Sequence, residues 1–155
     1  MKPLKFQKGA LMIEAAYLLP FMMIALLAVV DLIGYVADRL SANDVMADAY
    51  QLMMNQANAQ AIDPDLTLNT VTCQAHKVEL NSGGAETFIK DGFTGLFDGL
   101  DKSAVNVDIQ KQPGESPSTY IFKAQFPSQT LFLPEAFAQS FPVKAKLIIS
   151  FDLSC

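Results

Sequence analysis

From Ala10 to Val30 the chain runs for 21 residues with a single charge, Glu14. At about 1.5 Å of rise per residue, a helix of that length matches the ~30 Å hydrocarbon core of a bilayer. No other feature limits the fold so strongly. Lys2, Lys5 and Lys8 precede the segment and Asp31 closes it. By the positive-inside rule this places the N-terminus in the cytoplasm and everything after Asp31 on the far side. A charge facing hydrocarbon costs about 2.5–3.5 kcal/mol at a helix centre and less near the ends. Glu14 therefore asks for a functional reason.

Three readings of this segment compete. A secretory signal peptide has a shorter apolar core, about 7–15 residues, with a small-x-small cleavage site directly behind it. Here Asp31-Leu32-Ile33-Gly34-Tyr35 follows instead, and Ala47-Asp48-Ala49 comes too late. An uncleaved anchor satisfies the hydropathy but leaves Glu14 unexplained, unless the carboxylate simply snorkels to the membrane edge. The third reading uses every residue. If the chain is cut between Gly9 and Ala10, the new amine, with a reference pKa of about 7.7–8.0, is mostly protonated near neutral pH. Glu14 then stands at the fifth position of the mature chain, about 6 Å along the helix from that amine. A carboxylate in the first turn also complements the unpaired N–H groups and the positive end of the helix dipole. A neighbouring subunit shifted by about one turn brings its own amine to this Glu14, and in hydrocarbon such a pair favours assembly.

Gly9, Ala10 and Glu14 resemble the prepilin-peptidase site of type IV pilins and pseudopilins, with glycine before the cut and glutamate at mature position five. The wider run Lys8-Gly-Ala-Leu-Met-Ile-Glu-Ala-Ala-Tyr-Leu-Leu-Pro-Phe21 is similar to TadE/TadF-like minor pilins of tight-adherence pili, whose glycine, glutamate, proline and closing acid are matched by Gly9, Glu14, Pro20 and Asp31. The major Flp pilin of such systems has Glu-Tyr, whereas Ala15 follows Glu14 here, and it is much shorter; both differences favour a minor subunit. The resemblance covers Lys8 to Tyr50. It implies a structural protein acting in assembly or capping of a filament. The partners it implies are the prepilin peptidase, the major Flp-type pilin, other minor pilins, the inner-membrane assembly platform and membrane lipid, with no cofactor. A minor pseudopilin of a type II secretion system and an uncleaved single-pass anchored binding module remain the alternatives. Pro20 cannot donate to the carbonyl of Ala16, so a kink is expected there. It is either a tolerated membrane-helix proline or a bend that eases passage from bilayer into filament.

Hydropathy and the resemblance together divide the chain into a leader (1–9), a membrane helix (10–31), its extracytoplasmic continuation (32–61) and an α+β head (62–155). Only Gly34 interrupts 21–61, and Leu40, Val45, Met46, Ala49, Leu52 and Met53 recur at near-helical spacing, a packing stripe for the head or a neighbouring helix. Pro64 ends the helix. Beyond it, Val143, Ala145, Leu147, Ile149, Phe151 and Leu153 share one parity, a clear strand. Tyr120, Phe122, Ala124 and Phe126 make a second strand, Val105, Val107 and Ile109 a third, and 66–80 one or two more. The turn-rich Gln112-Pro-Gly-Glu-Ser-Pro117 joins two of them in a hairpin. Residues 85–100 read as a short helix weakened by Gly92, Gly95 and Gly99, and 133–140 as a helical turn beside Pro134. The expected fold is a small antiparallel sheet lying on a long helix.

Of 11 basic side chains three precede Gly9, which leaves 8 against 16 acidic ones, the wrong sign and no cluster for nucleic acid. Cys73 and Cys155 read as a disulfide in an exported domain or as two separate thiols in a reducing one. His76, the single histidine, has no nucleophile placed beside it and reads as a solvated strand residue. Asp91, Asp98 and Asp101 miss the calcium-loop spacing, and Asp63 and Asp65 flank a proline in ordinary turn chemistry. The motifs point to no enzyme.

Overall fold

The computed structural model describes residues 8–114 and 117–155, and side chains for all of these except 8–15, 135 and 137. Helix α1 (Lys8–Ile62) has 55 residues and runs unbroken through Pro20, a shaft of about 80 Å. It stops where the sequence requires. Pro64 disfavours helix before it, the Asp65 N–H donates to Asp63 Oδ1 (3.2 Å), and the Gln60 amide reaches back to the Pro64 carbonyl (2.8 Å).

The head packs on the C-terminal half of α1. Strands β1 (Val71–Gln74) and β2 (Lys77–Leu80) form a hairpin, followed by α2 (Ser82–Leu96), a 3-10 turn (Lys102–Ala104), β3 (Asn106–Lys111), β4 (Ser118–Phe126), α3 (Glu135–Ser140) and β5 (Val143–Phe151). Strands β3, β4 and β5 make one antiparallel sheet with β4 central. Its register sets Ile109, Phe122 and Leu147 in one row and Val107, Ala124 and Ala145 in the next. The parity seen in the sequence thus becomes one apolar face, and that face lies on the shaft with α2 beside it. Asp108, Lys123 and Lys146 form a row on the opposite face. The β3–β4 connection is the expected hairpin, although its centre, 115–116, falls outside the described residues.

The packing stripe differs from the spacing read in the sequence. Met46, Ala49 and Met53 are buried as expected, but Ala42 and Ala57 complete the row, and Leu40 is 61% exposed. Buried positions at 42, 46, 49, 53 and 57 climb one face at intervals of three and four. Leu40 stands about 200° round the helix from Ala42 and misses it. Size decided this more than hydrophobicity. Alanines let the sheet approach the helix backbone, and Met46 and Met53 fill the gaps between them.

Helix α2, capped by Asn81, starts at Ser82 and ends at Leu96, three to four residues earlier at both ends than the 85–100 read in the sequence. The Asn81 side chain accepts from the Gly84 N–H (3.3 Å), and the Asn81 N–H donates to Thr70 (2.9 Å). Thr70 is fixed to the shaft, its N–H and hydroxyl both donating to Gln56 Oε1. This draws the 69–70 backbone so close that a Cβ on Gly84 would lie 1.7 Å from the Asn69 oxygen. Only glycine fits there.

Cys73 on β1 is bonded to Cys155, 82 positions further along the chain, with Cα atoms 6.0 Å apart. In the chain-entropy account, a loop of that length adds about 4–5 kcal/mol. Backbone bonds run alongside: Val78 N–H to Leu153 (3.0 Å) and Cys155 N–H to His76 (3.2 Å). The last three residues therefore join the hairpin to the end of β5. Leu80 N–H donates to the buried Tyr120 hydroxyl (3.3 Å), a second tie between the two sheets.

His76 is exposed, as expected, but it stands in the two-residue turn between β1 and β2 rather than in a strand. Ala75 and His76 both have positive φ, 50° and 62°. A tight hairpin of this kind needs two left-handed residues, and Asn-Gly is the pair that adopts them without strain. The left-handed conformation costs an ordinary residue about 1–2 kcal/mol. Replacing Ala75→Asn together with His76→Gly is expected to stabilise the head by about 1 kcal/mol, after allowing for glycine's unfolded-state freedom. Thermal unfolding should then shift upward by about 3 °C.

Candidate functional site at the end of the apolar shaft

From Ala16 to Leu26 α1 has no covering within the chain. Tyr17, Leu18, Leu19, Phe21, Met22, Met23, Ile24 and Leu26 are all exposed, in a helix long and apolar enough to cross a membrane. Cover begins at Leu27 and Ala28, which are half-buried. Just beyond them Asp31, an acid in a largely apolar helix, is only 4% exposed.

What removes Asp31 from water is a strap from 127 to 134, between β4 and α3. Prolines at both ends (Pro127, Pro134) keep this stretch out of strand and helix, so its N–H groups lack the partners that regular structure supplies. Asp31 provides them. Its Oδ1 accepts from Leu131 N–H (2.9 Å) and its Oδ2 from Leu133 N–H (2.6 Å), with Phe132 N–H shared between the two oxygens (3.3 and 3.1 Å). Three successive amides on one carboxylate form a fully hydrogen-bonded anion site, and such bonds are the strong ones. Two turns on, and on the same side of α1, Asp38 Oδ2 accepts from Gln129 N–H (3.3 Å). The Gln129 side chain reaches the Asp98 carbonyl (2.7 Å), and the Thr130 hydroxyl donates to Leu133 (3.0 Å).

The two acids are not equivalent. Burial pushes the Asp38 carboxyl up from the usual range more than the single Gln129 N–H pulls it down. Folded Asp38 therefore holds its proton to higher pH than the unfolded residue, and the stability this site contributes in acid is lost as pH rises through its raised folded value. Between strap and shaft lies an apolar cavity of about 330 Å³, walled by Ala28, Leu32, Tyr35, Leu133 and Phe141 with Asp31 at its edge.

The residues singled out in the sequence are spread along the molecule. Gly9, Ala10 and Glu14 have their backbone in α1, and their side chains fall outside the described residues. Glu14 is 17 residues before Asp31, about 25 Å along the helix. Pro20 lies within the bare stretch, and Cys73 and Cys155 close the opposite side of the head. Asp101 caps the 3-10 turn through Ser103, and Asp91 pairs with Lys102. Among the described residues no three His, Cys, Asp or Glu side chains gather where a metal ion would fit. Arg39, Lys123, Lys144 and Lys146 line one shallow depression, a basic patch on an acidic chain.

Asp31 is the residue whose role the sequence did not announce. It reads there as the acid closing an apolar run, and its partners are 100 to 102 positions away. The one available signal is Pro127-Ser-Gln-Thr-Leu-Phe-Leu-Pro134, an apolar-tipped stretch bracketed by prolines. No protein-family model, curated protein sequence or solved structure matches the chain.

Asp31→Asn keeps the shape but turns one of the two accepting oxygens into a donor that faces backbone N–H groups. Hydrogen exchange is expected to show faster exchange at the amides of 131–133, with a lower unfolding temperature for the head. Asp38→Asn removes a partly buried charge and should leave both nearly unchanged.

Proposed function

We propose that this chain is a minor pilin or pseudopilin of the tight-adherence type. It is stored as a single-pass membrane protein with its N-terminus in the cytoplasm, cut after Gly9 by a prepilin peptidase, and used in assembling or capping a pilus. The observation that carries the reading is the division of α1. From Ala16 to Leu26 it is bare and apolar, and its C-terminal half is sheathed by a disulfide-closed α+β head. A bare helix of this kind satisfies every backbone group internally and needs only an apolar surrounding. Either lipid or a bundle of like helices supplies it. One segment thus serves first for membrane storage and then for filament packing.

Glu14 fits this role because its charge has no use in an inert anchor. It is proposed to receive the new Ala10 amine of an adjacent subunit and so to set the axial register. The head, the strap and the basic patch then face the periplasm or the cell surface, where a disulfide persists. The function is structural, without cofactor or catalytic group, and the proposed partners are the peptidase, the major Flp-type pilin, other minor pilins and the inner-membrane assembly platform.

Sequencing the mature protein extracted from membranes is expected to begin at Ala10. Gly9→Leu should leave the full-length chain in the membrane and reduce piliation. Retention of Met1 to Gly9 in the native protein points instead to an uncleaved anchor carrying an extracytoplasmic binding module. Glu14→Ala removes charge without removing hydrophobicity, so membrane insertion should persist while incorporation into pili falls by about tenfold or more, the factor that ~1.4 kcal/mol of lost pairing gives. Normal incorporation of that variant would end the registration idea even with the Ala10 terminus in place.

A further inference from the structure

The strap and Phe141, the residue just after α3, carry an apolar outer surface. Leu131 is 78% exposed, Phe132 55% and Phe141 53%, in a head whose other large apolar side chains are mostly buried. Their height on the shaft is fixed. The backbone N–H groups of Leu131 and Phe132 are bonded to Asp31, the first residue after the uncharged run, and Phe141 shares a cavity wall with Ala28. Ala28 is about 4–5 Å nearer the N-terminus than Asp31. The strap therefore reaches the last turn of the segment that is long enough to cross a bilayer.

A loop at that level would ordinarily be costly, because unpaired N–H groups lose water as they approach hydrocarbon. Here the N–H groups of 131–133 are already held by Asp31 and the Thr130 hydroxyl by Leu133. The polar groups turn inward and the leucine and phenylalanine side chains turn outward. At the same height Leu32, Ile33 and Val36 are exposed on α1, so the helix is apolar there on its other sides too.

We infer that Leu131, Phe132 and Phe141 form a wedge that seats in the boundary between headgroups and acyl chains of the leaflet facing the head. The partner is the lipid itself, continuous with the lipid around 16–30. Wedge and helix then contact the bilayer at two points, which fixes the tilt of the head as a single helix cannot. The inference rests on the reading of α1 as membrane-spanning.

The chain contains no tryptophan, so single substitutions report on one place each. Full-length protein with Phe132→Trp or Leu131→Trp is reconstituted into phosphatidylcholine–phosphatidylglycerol vesicles. Ile24→Trp serves as the reference within the span and Leu66→Trp as the aqueous reference. Lipids brominated near the headgroup should quench positions 131 and 132 about twofold or more over Leu66→Trp, and more strongly than lipids brominated near the chain end. Ile24→Trp should show the reverse depth order. If positions 131 and 132 behave like Leu66→Trp while Ile24→Trp is quenched by lipid, the wedge is wrong and the anchor stands. If Ile24→Trp also escapes quenching, the membrane reading fails and the wedge with it. Shielding of 131 and 132 from aqueous iodide without lipid quenching, lost when the vesicles hold one chain each, assigns the patch to a second copy and overturns the proposal.

Discussion

The carboxylate of Asp31 marks the boundary between the uncovered and the covered part of one helix. From Ala16 to Leu26 the chain leaves α1 uncovered; from Asp31 onward the same helix is the floor of a packed domain. A helix shared in this way needs its head held at a definite height, and packing alone does not give one, since a stripe of alanines and methionines would tolerate sliding by a turn. Three amides converging on one side chain are directional. They fix the strap to a single helical position, and Asp38 two turns further on reads the same register again.

Above that point the fold follows from size and parity. Alanines on α1 let the sheet lie close, and Gly84 lets the Asn69 backbone approach α2. The row from Tyr120 to Phe126 sends alternate side chains into the core, where Phe126 meets Phe93 of α2 and Phe97 at its end with ring centres 5.0 and 4.8 Å apart. The far edge is held by mixed means. Lys111 lies between Glu79 (2.8 Å) and the Tyr120 ring, and its hydrogen bond to the Glu79 carboxylate makes the ammonium hold its proton more tightly. That pair is exposed and gives orientation more than stability.

Much of this was legible before any coordinates. Strand parity in β4 and β5 was readable because the period of two is local and survives without knowledge of the partner strand. The end of α1 was readable because Pro64 acts on its immediate neighbour. The disulfide was one of two open readings, and spacing alone did not decide it. Other features were out of reach for physical reasons. Leu40 looks like a core residue to any hydrophobicity pattern, but the sheet chose a stripe by the smallness of Ala42 and Ala57. The β1–β2 turn has none of the usual residues, so Ala75-His76 read as part of a strand. Asp31 and its strap are separated by 100 residues, and no local rule pairs them. The pilin reading lies on another level. It rests on Gly9, Glu14, Pro20 and Asp31 as a pattern, and the bare half of α1 is the physical support beside it.

The placement of the disulfide has a mechanical consequence. Cys73 comes only 11 residues after the end of α1, and its partner is the last residue shown. A pull exerted between the shaft and the C-terminus is therefore carried by a short covalent path through Cys73, while the intervening ring of strands is bypassed. Even with the head completely unravelled, the separation between Ile62 and Cys155 grows to only about 40 Å; without the crosslink the same stretch could be drawn out beyond about 300 Å. A head loaded in this way keeps nearly its original length and refolds once the load passes.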